Sequence, residues 1–146
     1  MGKLLIDRLS EQTNKNHLSK YRVFNNGPVD LEPGDIAVIT GVSQGGTFLE
    51  VKGAQAVASP DILADGRFLV MDQKLQAGYT RPGRACDWRL VQEDTSSQAV
   101  GDPSYLSESN KGKRTFTTPT TTTIKVGYVL EVGTEGWTLV DVSRVY

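Results

Sequence analysis

Cysteine and histidine are almost missing from this 146-residue chain: Cys86 and His17 are the only ones. One thiol excludes an internal disulfide, and one thiol with one imidazole leaves no zinc site of the usual Cys/His kind. An excess of one charge is missing too. Sixteen Lys and Arg stand against seventeen Asp and Glu, a net charge of −1, without the basic surplus of a dedicated nucleic-acid binder. No apolar run approaches the roughly 18 residues that a membrane span requires. The opening Met1-Gly2-Lys3-Leu4-Leu5-Ile6 turns charged at Asp7 and Arg8, short of the roughly 7–15 apolar residues of a signal peptide. Ile6 also stands where a myristoylation motif wants Ser or Thr. The expectation is one soluble domain made in a cytoplasm, since domains commonly run about 100–150 residues, with neither nucleic acid nor membrane as a partner.

What is present is short β-patterning. Residues 1–28 are mostly polar and end in the turn chemistry of Asn25-Asn26-Gly27-Pro28. They read as an extended N-terminal arm ahead of a single β-domain over 29–146, with Leu4, Leu5, Ile6 and Leu9 available to a partner, or else as an ordinary frayed terminus. Ile36-Ala37-Val38-Ile39-Thr40 and Thr47-Phe48-Leu49-Glu50-Val51 flank the turn Ser43-Gln44-Gly45-Gly46, which predicts a hairpin. Ser59 to Gly66 predicts one short helix, with Ser59 as cap, Pro60 at the first position and Gly66 closing the end. Phe68–Met71 and Ala85–Val91 read as strands. So do Thr115–Thr118, Ile124–Val132 and Trp137–Val142, the last two joined by the turn Gly133-Thr134-Glu135-Gly136. On the last strand Trp137, Leu139 and the following odd positions share a face. The fold class that follows is all-β, a small barrel or sandwich, β-tulip-like, with one short helix and the arm.

Chemistry is sparse. His17 lies in the polar arm without the held geometry a general base needs. Cys86 sits in an alternating run and reads as a small buried hydrophobe. Asp61 and Asp65 lie one helical turn apart and Glu93 adjoins Asp94; the i, i+4 pair could hold a metal weakly, but a capped, solvated helix face explains it better. No catalytic, cofactor or metal residue emerges. Arg81, Arg84 and Arg89, with Tyr79 and Trp88 nearby, make the one local basic cluster. Arginine beside aromatics fits an anchor patch for a protein partner, a track for single-stranded nucleic acid, or a solvated loop. The Thr-rich run Thr117 to Thr123, broken by Pro119, is expected to be extended and exposed, either a β-edge open to another chain or a plain loop.

Three strings carry a resemblance: Val100-Gly101-Asp102-Pro103-Ser104-Tyr105-Leu106-Ser107, then Lys111-Gly112-Lys113-Arg114-Thr115-Phe116-Thr117, then Val126-Gly127-Tyr128-Val129-Leu130. Together they resemble the small β-domain of head decoration, or cement, proteins of tailed bacteriophages. Leu31 to Val38 is similar to that family's earlier turn into a strand, whereas 52–95 and the long arm have no counterpart. In that pattern the first string opens a strand after a turn set by Gly101 and Pro103. The second forms a hairpin, and the third closes the sheet, with Gly127 admitting a close backbone neighbour. The resemblance implies a virion protein with no catalytic residues and no cofactor, bound to the major capsid protein at capsomer junctions on the capsid exterior. It would self-associate there as a trimer or dimer. The capsid-contact candidates are Leu4, Leu5, Ile6 and Leu9 in the arm, Arg81 and Arg84 in the basic loop, and Thr118, Thr120, Thr121, Thr122 and Thr123 on the Thr-rich edge. The alternative is a tail or fibre β-domain binding a receptor or glycan, with Trp88, Trp137 and Tyr79 as its contacts. A β-barrel hydrolase or lyase using paired carboxylates would need two carboxyls converging in a pocket.

Overall fold

A computed structural model describes residues 21–56, 67–78 and 81–143. Ten strands follow in chain order: β1 Tyr21–Asn25, β2 Ile36–Val42, β3 Leu49–Gly53, β4 Phe68–Met71, β5 Gly83–Cys86, β6 Trp88–Glu93, β7 Pro103–Leu106, β8 Arg114–Thr115, β9 Lys125–Glu131 and β10 Gly136–Asp141. The expected helix over 59–66 lies outside the described residues. Among those described, the only helical element is a single 3₁₀ turn, Gln44–Gly46.

The first five strands close a barrel in the order β1-β3-β2-β4-β5, and the last five form a sheet in the order β6-β10-β9-β7-β8. The expected hairpin of β2 with β3 is present and antiparallel, with a bulge between Ile39 and Gly41. β1 was not expected, because its five residues fall within the segment read as an arm. It pairs parallel with β3 and antiparallel with β5, and so closes the barrel. Val23 and Asn25 point inward and are fully buried, while Arg22 and Phe24 alternate to the outside.

The barrel wall made of β4 and the adjoining Ile36–Val38 and Ala85–Cys86 parts of β2 and β5 is buried on both sides, because the sheet packs against its outer surface. Side chains alternate between the two cores. Ala37, Leu69, Met71 and Ala85 fill the lumen with Val23, Leu31, Val51 and Leu75. Ile36, Val38, Phe68, Val70 and Cys86 face outward onto Leu106, Ile124, Val126, Val140 and Val142 of the sheet half. Double burial explains the unbroken apolar run Phe68-Leu69-Val70-Met71, which shows no period of two in hydropathy although its side chains alternate in space.

The expected single strand Ala85–Val91 is two strands. Asp87 interrupts it and carries the chain from the barrel into the sheet; it is nearly buried. Its carboxylate accepts a hydrogen bond from Arg67, and its carbonyl accepts one from Val142 N at 2.9 Å. The expected strand Thr115–Thr118 shrinks to Arg114–Thr115, paired with β7. β9 and β10 form the expected hairpin, with a bulge that inserts Leu130. Trp137 and Leu139 do share a face as expected, but the shared core takes the even positions Val140 and Val142 instead. Gly127 has the predicted role, since a Cβ there would collide with the carbonyl oxygen of Leu139 on the neighbouring strand.

The loop between β7 and β8 joins the two halves. Gly112, at φ +81°, passes so close to the barrel that a Cβ would lie 2.8 Å from Leu31 Cδ2. Its N–H donates to Ala54 O at 2.6 Å and its carbonyl accepts from Ile36 N at 2.8 Å.

Candidate functional site

Arginines on this surface fall into two groups. Arg67, Arg89 and Arg114 each hold a carboxylate: Asp87, Asp72 and Glu93 respectively. Arg114 is the most enclosed of them. It meets both carboxylate oxygens of Glu93 at 3.0 Å, donates to Ser104 Oγ at 3.1 Å and reaches Gly34 O on the barrel at 3.2 Å. Beside it, Lys113 Nζ donates to Asp35 Oδ2 at 2.6 Å. These contacts clasp the sheet to the barrel and are structural. The basic cluster read from the sequence therefore loses Arg89 to an ion pair.

Arg22 and Arg84 belong to the other group. They lie directly opposite each other on β1 and β5, both exposed, and among the described residues neither forms an ion pair. Two like charges facing across neighbouring strands repel, so fold stability does not account for the pair. Arg22 stacks over the Phe48 ring at 4.9 Å, and Phe48 meets Phe24 edge-to-face at 4.9 Å between centroids. Val42, 60% exposed, pairs with Leu49, which packs toward the lumen, and so lies at the barrel rim. The outer barrel surface where Arg84, Arg22, Phe24 and Phe48 meet is thus basic and apolar at once. Arg81 is exposed just before β5. Sequence reading found Arg81 and Arg84 but missed Arg22, Phe24 and Phe48, which reach the same surface through the barrel's long-range pairing.

The Thr-rich segment is exposed as expected at Thr118, Thr120, Thr121 and Thr123, with Thr122 half-buried and Pro119 buried. It is not an open β-edge. The carboxylate of Glu108 accepts hydrogen bonds from Thr120 N, Thr120 Oγ1 and Thr121 N at 3.0–3.3 Å, which occupies donors an incoming strand would use. Those backbone bonds also hold the Glu108 carboxyl below its usual pKa. Between this segment and the β7–β8 loop lies an open pocket of about 310 Å³, lined by Ser107, Asn110, Arg114, Thr117 and Thr118 among others.

Cys86 is buried, and its thiol is pushed up to about 12, first by burial and then by the neighbouring Asp72. A thiol held neutral in this way does not serve as a nucleophile at ordinary pH. Trp88 is half-buried and Trp137 is nearly buried. Glu93 is engaged by Arg114, and Asp94 accepts from Ser96 N and Oγ at 3.0 and 2.6 Å. Leu4, Leu5, Ile6, Leu9, His17, Asp61, Asp65 and Tyr79 lie outside the described residues. No family model, curated protein or solved structure matches the chain.

Proposed function

We propose that this chain is a non-enzymatic virion protein that binds the outside of a phage capsid at capsomer junctions and stabilises the shell. The observation that carries the reading is the agreement between the resembling strings and the sheet half. Val100 to Ser107 contains β7, entered through Gly101 at φ +91° and opened by Pro103. Lys111 to Thr117 contains β8, and Val126 to Leu130 lies in β9 with Gly127 closely apposed to β10. Gly101 takes a positive φ, Gly112 lies close against the barrel, and Gly127 admits the backbone of β10.

A protein of this kind works by covering a seam between shell subunits with a rigid body, and a standard interface buries about 800 Å² per partner. The basic wall bearing Arg22 and Arg84 and the exposed threonines are the described surfaces that supply candidate contacts. Copies held side by side on the lattice gain avidity, because each raises the effective concentration of its neighbours.

The test is co-sedimentation of the full chain with mature empty heads stripped of their own copies. Saturable binding at a fixed ratio to the major capsid subunit, with a raised melting temperature of the shells, is the expected result. Absence from heads with recovery on purified tails would transfer the protein to the tail, where glycan-array binding becomes the relevant measurement.

A further inference from the structure

The end of the sheet remote from the β5–β6 corner is built from the loop after β6 and the β9–β10 turn. It carries Asp94, Asp102, Glu131 and Glu135 and no Lys or Arg. Two of the four large hydrophobic residues that are well exposed among the described residues sit there, Val100 at 70% and Val132 at 42%. The loops are tied together before any partner arrives. Thr95 is fully buried; its N–H donates to Gly133 O at 2.8 Å, its hydroxyl to Glu131 O at 2.7 Å, and it accepts from Gly133 N at 3.1 Å. Gly101 N donates to Val129 O at 2.8 Å, and Asp102 caps Ala99 N at 2.9 Å. Asp94 and Asp102 make only these turn contacts and, among the described residues, no ion pair. Ser96 keeps Asp94 ionised by lowering its pKa. The result is a rigid acidic knob tipped with valine.

The opposite chemistry lies on the barrel wall. There two guanidinium groups that form no ion pair among the described residues stand beside Phe24 and Phe48. We propose that one copy of the chain seats its acidic, valine-tipped sheet end on the Arg22–Arg84 wall of a second copy, a head-to-tail contact between two different surfaces. Val100 and Val132 meet Phe24 and Phe48, while Asp94 and Asp102 neutralise Arg22 and Arg84. Electrostatic complementarity of this kind selects the partner and fixes its orientation. Knob and wall are different patches, so each copy has one of each left to offer. The contact therefore generates a ring when the rotation closes and an open chain when it does not. Self-docking needs no capsid, so its failure and failure of the capsid reading are separately visible.

Sedimentation velocity of the full chain tests it, run from micromolar to millimolar concentration at low and high salt. Species larger than the monomer are expected to grow with concentration at low salt and to dissociate as salt screens the charges. Arg22→Glu with Arg84→Glu should weaken association about a hundredfold, since facing like charges cost several kcal/mol. Asp94→Lys with Asp102→Lys should do the same. Asp94→Asn with Asp102→Asn removes the charge while keeping an acceptor for each turn, and separates a charge effect from damage to the loops. Mixing the two charge-reversed proteins should restore association, because each then meets a surface of opposite sign. A monomer at millimolar concentration and low salt overturns the proposal, as does association indifferent to the wall variant or a mixture that stays monomeric. A monomer whose Arg22→Glu, Arg84→Glu form also loses binding to heads would assign the wall to the shell instead.

Discussion

The barrel and the sheet use the same raw material, short β-branched strands with Gly and Pro turns, but complete themselves differently. The barrel has a lumen of its own, filled by Val23, Leu69, Met71 and their neighbours, and β1 closes its circle. Among the described residues the sheet has no core cluster of its own: its buried side chains Leu106, Val126, Val140 and Val142 pack on the outer surface of the barrel. Parted from the barrel, the sheet would expose that apolar inner face to water and lose the free energy of its burial, so the sheet depends on the barrel for its stability. The comparison separates a closed unit that satisfies its own edges from an open one whose inner face is satisfied by its neighbour.

Leu106→Ala gives the largest expected effect. It removes a fully buried side chain from the shared core and should cost about 2–5 kcal/mol. Because the core is shared, denaturant unfolding followed by hydrogen exchange should still show barrel and sheet amides opening together. Selective loss of protection in β6 to β10 alone would make the two halves independent and dissolve the contrast between them.

Arg114→Ala ranks next. It strands Glu93, Ser104 Oγ and Gly34 O at the junction, and the expected loss is about 1–3 kcal/mol, read as a lower urea midpoint. Lys113→Ala breaks an ion pair whose lysine is 45% exposed and should cost less, about 0–1 kcal/mol. Equal effects would mean that the clasp works by charge alone and not by enclosure.

A third test concerns Cys86, which packs on the barrel's outer surface. In the unfolded chain this thiol ionises near 9.0, and in the folded protein near 12. The folded state therefore keeps a proton that the unfolded state releases, and stability falls as pH rises from about 9 toward 12. The decline attributable to this group is at most about 1.4 kcal/mol per pH unit. Cys86→Ala should lack it, and parallel stability curves for the two proteins between those pH values would disprove the burial effect.

Glu108→Gln gives the smallest effect. The carboxylate stabilises only the Thr-rich segment, so amide exchange at Thr120 and Thr121 should quicken while the melting temperature holds. Lowering pH should have the same local result, and only below the usual carboxylate range, because the folded pKa is depressed. A fall in global stability would show that this loop is part of the sheet's support.

The sequence made some strands legible and concealed others for identifiable reasons. β2, β9 and β10 are rich in β-branched residues with Gly turns beside them, β4 is a solid apolar run, and their own composition announces them. β1 alternates perfectly in space, yet Tyr-Arg-Val-Phe-Asn follows a polar stretch and precedes Asn-Gly-Pro, so it reads as part of the arm. The break at Asp87 is invisible because Ala85 to Val91 keeps an apolar look through the corner; only the change of partner strand reveals it. At the candidate surface Arg84 was recognisable beside Arg81. Arg22 and Phe48 were not, since they join Arg84 only through the pairing of β1 with β5 and the stacking beside β3. No local pattern records such a meeting.

The parallel seam of β1 with β3 has a consequence for synthesis. β1 is the first strand of the barrel to leave the ribosome, but its partners are Leu49–Val51 on one side and Gly83–Ala85 on the other. At roughly 5–20 residues per second, Val23 and Asn25 wait for seconds with both hydrogen-bonding edges open. The remaining strands of the barrel, β2 to β5, pair in antiparallel fashion along the chain and can assemble as they emerge. The circle cannot close until β5 emerges to meet β1, and until then the nascent barrel is an open ribbon with unpaired strand edges.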